Sequence, residues 1–315
     1  MLDAIGVDCS HVVRLDHFTS SQDWLPVRQS VRERYFGKPA PLASTGVAAK
    51  MAGTNMVTTC AIALADPADK HVLVDGSRYG MNNISAAVRG GPFVFLSGIR
   101  GTVDPRTGVR LSDETPTAFA AQARIIYEVI RSILNDCGLD VGAILRIDTY
   151  LRDQARAADD ERICREVLRA TPCASTRVAL PLSGNGDIEA TVLAAVPGVA
   201  KDIVFDSEAP APTTISAGGF VFVGECMAPS TGRPAGIDPE AQLRDSLELL
   251  DRKLNRCGSG LSRTVRLDLF LRDTGFADAA RETLTEIFDE TLPATTIVGA
   301  DLEEGIDVKL NAIAT

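Results

Sequence analysis

The sequence predicts an α+β fold of mixed sheets with helices on one face, because one pattern of strand, helix and hairpin recurs along the 315 residues. The pattern is clearest in residues 144–196, which open with ILRIDTYLRD and reach CASTRVALPLSGNGDIEATV. It returns as TVRLDLFLRD near the C-terminus and as VVRLDHF near the N-terminus. Arg14, Arg146 and Arg266 hold the same position in the three copies. A repeat protein with three related units is therefore predicted.

The three units are unequal. We predict a half unit over residues 1–66 (unit 1), a connector over 67–82, and complete units over 83–200 (unit 2) and 201–315 (unit 3). All three contain a strand, a helix and a closing hairpin, but only units 2 and 3 have the preceding hairpin and helix. The half unit would expose a sheet edge and an apolar helix face, which we expect the other units or a second chain to cover. The alternative is that the native chain begins upstream.

Unit 1 begins with residues 12–18, whose alternating side chains are typical of a strand. Trp24, Val27, Val31 and Tyr35 follow at helical spacing. This spacing predicts a helix that packs these four side chains against the sheet.

Units 2 and 3 each predict a long amphipathic helix after a turn, VDPRTG at 103–108 or PSTGRPAG at 229–236. Thr115 and Pro116 begin the first helix, and Asp238 and Pro239 begin the second. The predicted buried residues are Phe119, Ile126, Val129, Ile130, Ile133 and Leu134 in the first helix, and Leu243, Leu247, Leu250 and Leu254 in the second.

The composition excludes several classes of function. A net charge of −10 would repel a nucleic-acid backbone or an anionic bilayer, so neither partner is expected. Seven cysteines without a CxxC pair and three isolated histidines, including His17, favour a cytoplasmic protein with reduced thiols, without metal or disulfides. The stretches SGNGD and RGGPF lack a phosphate-binding motif, so no cofactor is predicted.

The motif order resembles the reactive-intermediate deaminase (Rid, also YjgF) family over nearly the whole chain. The shared features are FVFLSG or FVFVGE before a DPxTG-type turn, a helix ending in CG, a strand ending in YLRD or FLRD, and a late IEATV. The resemblance implies tandem chorismate-mutase-like domains, each a mixed sheet with two helices on one face, around a pseudo-trimeric barrel-like core. It also implies clefts between neighbouring units, a small-molecule substrate and a homo-oligomer.

Deaminases of this family bind a 2-imino acid through an arginine in a P-A-R-T pattern. At that position this chain has Ser44, Ser175 and Thr295, so none of the three units keeps the arginine. Arg177 lies two residues after Ser175, on the same side of the strand and about 7 Å further along. Arg177, with Ser175 beside it, is therefore the candidate for binding an anionic substrate.

The family also uses a glutamate of the last strand, near the attacking water. The local alignment gives Thr58, Asp187 and Lys309 at this position, and Glu189 shares the strand face of Asp187. We therefore hypothesise that Asp187 or Glu189 orients water in the cleft of unit 2, with ordinary ion pairs as the alternative role. Because units 1 and 3 offer neither group, one ligand site per chain is expected.

Cys226 ends a strand at a place that faces the cleft in the family, so it is a further candidate for substrate contact. Its neighbour Glu225 would raise the thiol pKa, and a buried small residue is the better interpretation.

Three functions remain open. The first is a Rid-type enzyme that acts on a reactive imine, enamine or related anionic metabolite by hydrolysis or elimination. The second is a chorismatase-like or other pathway hydrolase or cyclase, which several cationic groups in one pocket would favour. The third is a non-catalytic ligand-binding or assembly protein.

Overall fold

A computed structural model describes residues 2–100, 118–182, 186–205, 214–228, 238–289 and 292–315. The predicted turns at 103–108 and 229–236, and the predicted helix start at Thr115 and Pro116, lie outside these ranges. Within the described ranges the strands form three sheets of three, six and seven strands. No helix in these ranges is long and apolar enough to cross a bilayer.

The sheet of unit 1 contains β1 (Val12–Thr19), β2 (Ala43–Ala48) and β4 (Val57–Ala63) in the order β2-β1-β4. Helix α1 (Leu25–Phe36) connects β1 to the parallel strand β2, whereas β4 runs antiparallel to β1. Strand β3 (Lys50–Met51) leaves this sheet and pairs with the last sheet of the chain. Unit 1 is thus joined to unit 3 by backbone pairing.

The sheet of unit 2 has the order β5-β6-β7-β10-β8-β9, in which only β8 and β9 are parallel. Strand β5 lies in the segment predicted as a connector. Both helices belong to the packed face of this sheet. The elements are β5 (Lys70–Asp75), β6 (Ser85–Gly90), β7 (Phe93–Leu96), α2 (Phe119–Asp136), β8 (Ile144–Leu151), α3 (Ala157–Val167), β9 (Ala174–Ala179) and β10 (Ile188–Ala195).

Unit 3 repeats this arrangement with the order β11-β12-β13-β16-β14-β15-β3. Asp238 caps its first helix by accepting a hydrogen bond from the Ala241 backbone, and Pro239 follows, as predicted. The predicted α+β class with mixed sheets is confirmed. The elements are β11 (Lys201–Val204), β12 (Thr214–Ala217), β13 (Phe220–Cys226), α4 (Pro239–Asn255), β14 (Thr264–Leu271), α5 (Ala277–Phe288), β15 (Ala294–Gly299) and β16 (Val308–Ala314).

Helices α2 and α4 bury the faces that their sequences predict. All the predicted residues are buried except Phe119, which is partly buried against the same core. The leucines of α4 pack on the sheet of unit 3. A helical apolar period was therefore a reliable guide where a full unit is present.

Helix α1 is oriented differently from the prediction. Val27, Val31 and Tyr35 are 50%, 50% and 61% exposed, and Arg32 is the buried residue of the helix. In unit 2 the equivalent helix α3 packs beside α2, but no described helix packs beside α1 in this way. The apolar stripe consequently faces outward, and of the two expected covers, another unit or a second chain, the second chain is the one that stays a prediction.

The three sheets enclose a common interior. Phe18, Tyr150 and Phe270, which are equivalent residues of the three units, meet in one buried cluster. A second cluster brings together Val13, Leu145 and other residues from all three units. The predicted barrel-like, pseudo-trimeric core is thereby confirmed.

A chain of ion pairs, here called the ion ring because it links all three units around the interior, lies at the centre of the fold. The repeated R-x-D motif supplies one arginine and one aspartate per unit, and each arginine Nε donates to its own aspartate at 2.9–3.1 Å. Two contacts at 3.1 Å then join different units. The pairs within units are Arg14–Asp16, Arg146–Asp148 and Arg266–Asp268, and those between units are Arg146–Asp268 and Arg266–Asp16.

Candidate active site between units 1 and 2

Two equivalent junctions between units correspond to the clefts that the family resemblance implies, and in each of them the strand after a helix packs against the hairpin of the next unit. In the first cleft β2 meets the end of β7, where the Ser44 amide donates to Ser97 Oγ at 2.9 Å and the Gly98 amide donates to the Ser44 carbonyl at 3.0 Å. In the second cleft β9 meets β13, and Gly224 lies against the backbone of Ser175. The third junction differs, because β15 pairs with β3 there.

Glu189 lies in the first cleft and is 5% exposed. Its partner in the strand pairing is Tyr150 of β8. At the equivalent places Lys309 pairs with Phe270 in unit 3 and Thr58 pairs with Phe18 in unit 1. Glu189, not Asp187, is therefore the unit 2 residue equivalent to Lys309 and Thr58. The sequence alignment was wrong by two residues, because two acids of one strand face cannot be distinguished without the strand pairing.

Unit 1 and the segment of unit 2 that follows β7 hold the Glu189 carboxylate in place. Thr45 Oγ1 of unit 1 donates to Oε1 at 2.5 Å, and Arg100 Nε lies 3.8 Å from Oε2. Ile99 exchanges backbone hydrogen bonds with Ala190, which carries the chain after β7 past Glu189. A side chain at position 98 would collide with Glu189 and Thr45, so the glycine there permits this approach.

Two arginines of α1 approach the same cleft from unit 1. Arg28 and Arg32 are one turn apart and face the sheet. The Arg28 guanidinium occupies the space that a side chain at Gly46 of β2 would need. Arg32 Nη1 lies 3.5 Å from the hydroxyl of Ser44, which is the position of the missing family arginine. Helix α1 thus places guanidinium groups next to β2, the strand that has Ser44 at the position of the family arginine.

His17 of β1 lies next to these arginines and opposite Gly46 in the strand pairing. It is 7% exposed, and its Nδ1 is 3.1 Å from the Thr59 hydroxyl, whereas Nε2 is buried without a hydrogen-bond partner among the described residues. Burial, and then the charge of Arg28, lower the pKa of His17 to about 4 although Asp16 opposes this shift. His17 is therefore neutral at neutral pH.

The first cleft is rich in guanidinium groups. Burial, and then the charge of the neighbouring Arg28, lower the pKa of Arg32 to about 10 although Glu33 opposes this shift. Burial also lowers the pKa of Arg28; Glu189 opposes that shift and Arg100 adds to it. Neither Arg28 nor Arg32 has a carboxylate at ion-pair distance within the described ranges. Two guanidinium groups of α1 without such a partner are suited to an anionic ligand.

The second cleft is filled by its own side chains. Lys309, which replaces the acid there, is fully buried and donates to the Arg177 carbonyl at 2.8 Å. Its ammonium also lies 2.6 Å from Glu303 and 3.3 Å from Glu225. All three ammonium protons have an acceptor among the described residues, so Lys309 has no free donor for a ligand.

The structure does not bring Arg177 and Asp187 together. Arg177 Nε donates to the buried Asp160 of α3 at 2.7 Å, and its Nη1 donates to Ser175 Oγ at 2.9 Å. Asp187 forms a partly exposed ion pair with Arg152 at 3.2 Å. Strand β8 lies between the strands that carry them. Arg177 and Ser175 thus form an internal contact under α3, which is the ion-pair alternative that the sequence left open.

Cys226 is fully buried in the hydrophobic core of unit 3, next to the leucines of α4, and does not line a cleft. The described residues contain no group of three or more His, Cys, Asp or Glu side chains that could hold a metal ion.

Sequence reasoning missed Arg28, Arg32, Arg100, Thr45 and His17. One signal was present: position 46 is glycine where the equivalent positions of the other units hold Arg177 and Ile297. A glycine at position 46 leaves space beside the strand, and Arg28 and Arg32, four residues apart on the preceding helix, could have been predicted to fill that space.

Comparison with known proteins agrees with this architecture. A family model described as Endoribonuclease L-PSP matches residues 206–315. RutC family proteins of Pyrococcus abyssi and Pyrococcus horikoshii are 27% and 28% identical over 37% and 36% of this chain, and over 98% and 97% of their own lengths. A chorismatase crystal structure covers 97% of this chain and 93% of its own, with a TM-score of 0.60 and 14% identity, a likeness of fold. Unit 3 thus matches the family model, and the chain as a whole is similar in fold to proteins of the Rid/YjgF type, with repeated units around a barrel core.

Proposed function

We propose that this protein is an enzyme that hydrolyses a small anionic imine or enamine in the first cleft, with Glu189 as its acid–base group. The observation that carries the proposal is the buried Glu189 carboxylate, which Thr45 orients and which lies beside guanidinium groups without ion-pair partners. A positioned carboxylate next to a cationic anchor can serve both for proton transfer and for substrate binding.

The chemistry would proceed in two balanced steps. In the first step the water oxygen attacks the C=N carbon while Glu189 takes a proton from that water and passes it to the nitrogen, which gives the carbinolamine. In the second step Glu189 takes the hydroxyl proton and passes it to the nitrogen as the C=O bond forms and the C–N bond breaks, which releases ammonia and a 2-oxo acid.

The substrate carboxylate would bind to the arginines of α1. In the family the anchor is an arginine on the strand, and here Arg32 contacts Ser44 at that strand position. Arg28 is close enough to Glu189 for each charge to affect the other. The anchor would therefore come from the helix, at the same edge of the cleft.

A matched pair of variants tests this proposal. A 2-imino acid is generated with an amino-acid oxidase and trapped with semicarbazide, and imine loss is compared for wild type, Glu189→Gln and Asp187→Asn. We expect wild type to accelerate imine loss, Glu189→Gln to lose about 100-fold or more, and Asp187→Asn to stay near wild type. Equal activity of Glu189→Gln and wild type, or no acceleration by wild type with any imine, would overturn the proposal.

A chorismatase-like hydrolysis or elimination is the second candidate. The presence of both Arg28 and Arg32 on α1 favours it, because a dicarboxylate needs more than one cation. Consumption of chorismate by wild type but not by Glu189→Gln, measured by chromatography, would support this reaction over deamination. The ribonuclease named by the family model is not adopted, because a net charge of −10 opposes binding of a phosphate backbone.

A further inference from the structure

We propose that His17 joins Arg28 and Arg32 in the anion-binding site beneath α1, and that the ligand of this site is a small molecule with two anionic groups. This inference rests on the proposed function, since it names the substrate class of the same cleft.

The site consists of hydrogen-bond donors without acceptors. Among the described residues, nine buried side-chain polar atoms have no hydrogen-bond partner, and three of them are His17 Nε2, Arg28 Nε and Arg32 Nε. These three side chains are close enough to shift one another's pKa values. Unsatisfied buried donors are costly, so their concentration at one place indicates a missing acceptor.

His17 also suits an anion. Because it is neutral, one ring nitrogen carries a proton and the other does not. When the Thr59 hydroxyl donates to Nδ1, across 3.1 Å, Nε2 is the nitrogen that carries the proton and can donate. The site then presents N–H groups from an imidazole and two guanidiniums, a donor set suited to a carboxylate or phosphate group.

The number of charges requires more than one anionic group. One guanidinium can bind one carboxylate through two parallel hydrogen bonds. Arg28 and Arg32 each lack a carboxylate at ion-pair distance within the described residues, and each has an Nε without a hydrogen-bond partner there. A ligand with a single anionic group would leave one of these two arginines without an anion. A dicarboxylate or a phosphorylated acid would neutralise both.

The test is anion binding, measured by calorimetry at constant ionic strength with acetate, succinate and inorganic phosphate. Arg32→Gln is compared with Arg34→Gln, which removes the same charge from an exposed position of the same helix. We expect wild type and Arg34→Gln to bind succinate or phosphate about tenfold more tightly than acetate, and Arg32→Gln to lose this preference. Preference for succinate identifies a dicarboxylate ligand, and preference for phosphate a phosphorylated one.

Three results would overturn the inference: equal binding of acetate and the dianions, equal effects of Arg32→Gln and Arg34→Gln, or no anion binding at all. None depends on turnover. If wild type prefers dianions but Glu189→Gln keeps full activity, the proposed function is refuted and this inference stands. If turnover depends on Glu189 but dianions are not preferred, this inference is refuted and the proposed function stands.

Discussion

Substitution of Gly46 by alanine tests the placement of Arg28 without removing a charge. An alanine Cβ at this position would collide with the guanidinium of Arg28, and the colliding atoms all belong to the mobile end of that side chain. Gly46 lies in a regular strand and does not have a positive φ, so alanine fits the backbone. The variant should therefore move the guanidinium of Arg28 out of the cleft and leave the sheet unchanged.

Gly46→Ala should have opposite effects on affinity and on stability. Loss of one charge-assisted contact should weaken succinate binding about tenfold, or about 1.4 kcal/mol. Loss of a glycine restricts the unfolded chain and stabilises the fold by about 0.4–1 kcal/mol, and release of a buried guanidinium from its neighbour Arg32 acts in the same direction. Gly46→Ala should thus bind more weakly while it unfolds at equal or higher denaturant concentration.

A double-mutant cycle with Arg28→Gln separates this effect from indirect ones. If Gly46→Ala acts only by displacing Arg28, the double variant binds no more weakly than either single variant, with a coupling energy of about 1.4 kcal/mol. Gly260→Ala, where a Cβ meets only ordinary contacts, is the matched glycine control and should leave binding unchanged. Wild-type affinity in Gly46→Ala, or a stability loss above about 2 kcal/mol, would refute the placement of Arg28 as a binding group.

Four further predictions follow from the same contacts. Arg266→Met should destabilise the fold by about 3–5 kcal/mol, because it removes this cation from the buried Asp16 and Asp268. The exposed Arg263→Met should change the free energy of unfolding little, and denaturant titration compares the two variants. The pKa of His17 in the folded chain is about 4, below its ordinary value of 6.5, so the unfolded chain takes up the proton first. The free energy of unfolding should therefore fall as the pH drops from 6.5 to 4, and in His17→Gln it should fall by about 3 kcal/mol less over that range. We expect the outward stripe of α1 to form a contact with a second copy, so Val31→Glu should lower the mass found by light scattering, whereas Val265→Glu, at an exposed position of unit 3, should not; equal masses for both variants and wild type would exclude that contact. Calorimetry with succinate should give one site per chain, and two equivalent sites would show that the second cleft is also open.

The sequence predicted the repeated units and the long helices because local pattern and tertiary environment agree there. In α2 and α4 one apolar face meets a full sheet, so the 3.6-residue period, the Asp238 cap and Pro239 all indicate the same structure. The R-x-D motif marked the equivalent strands for the same reason. These features depend on contacts within one unit.

The site could not be predicted in this way, because it depends on contacts between units. Helix α1 has both an apolar stripe and a cationic pair at helical spacing, and the pattern alone favoured burial of the apolar stripe. The orientation is reversed where no second helix covers the stripe and Gly46 leaves room for a guanidinium. Similarly, the choice between Asp187 and Glu189 required the pairing of β8 with β10.

The contrast between the two clefts explains why a pseudo-trimer should contain one site. At equivalent positions unit 2 supplies Glu189 and unit 3 supplies Lys309. Lys309 finds Glu225, Glu303 and a backbone carbonyl within its own cleft, so its charge is compensated there. Glu189 lies beside Arg28, and within the described residues neither Arg28 nor Arg32 has a carboxylate at ion-pair distance. A buried site that the chain does not neutralise by itself is the one that gains most from a ligand of the missing charge.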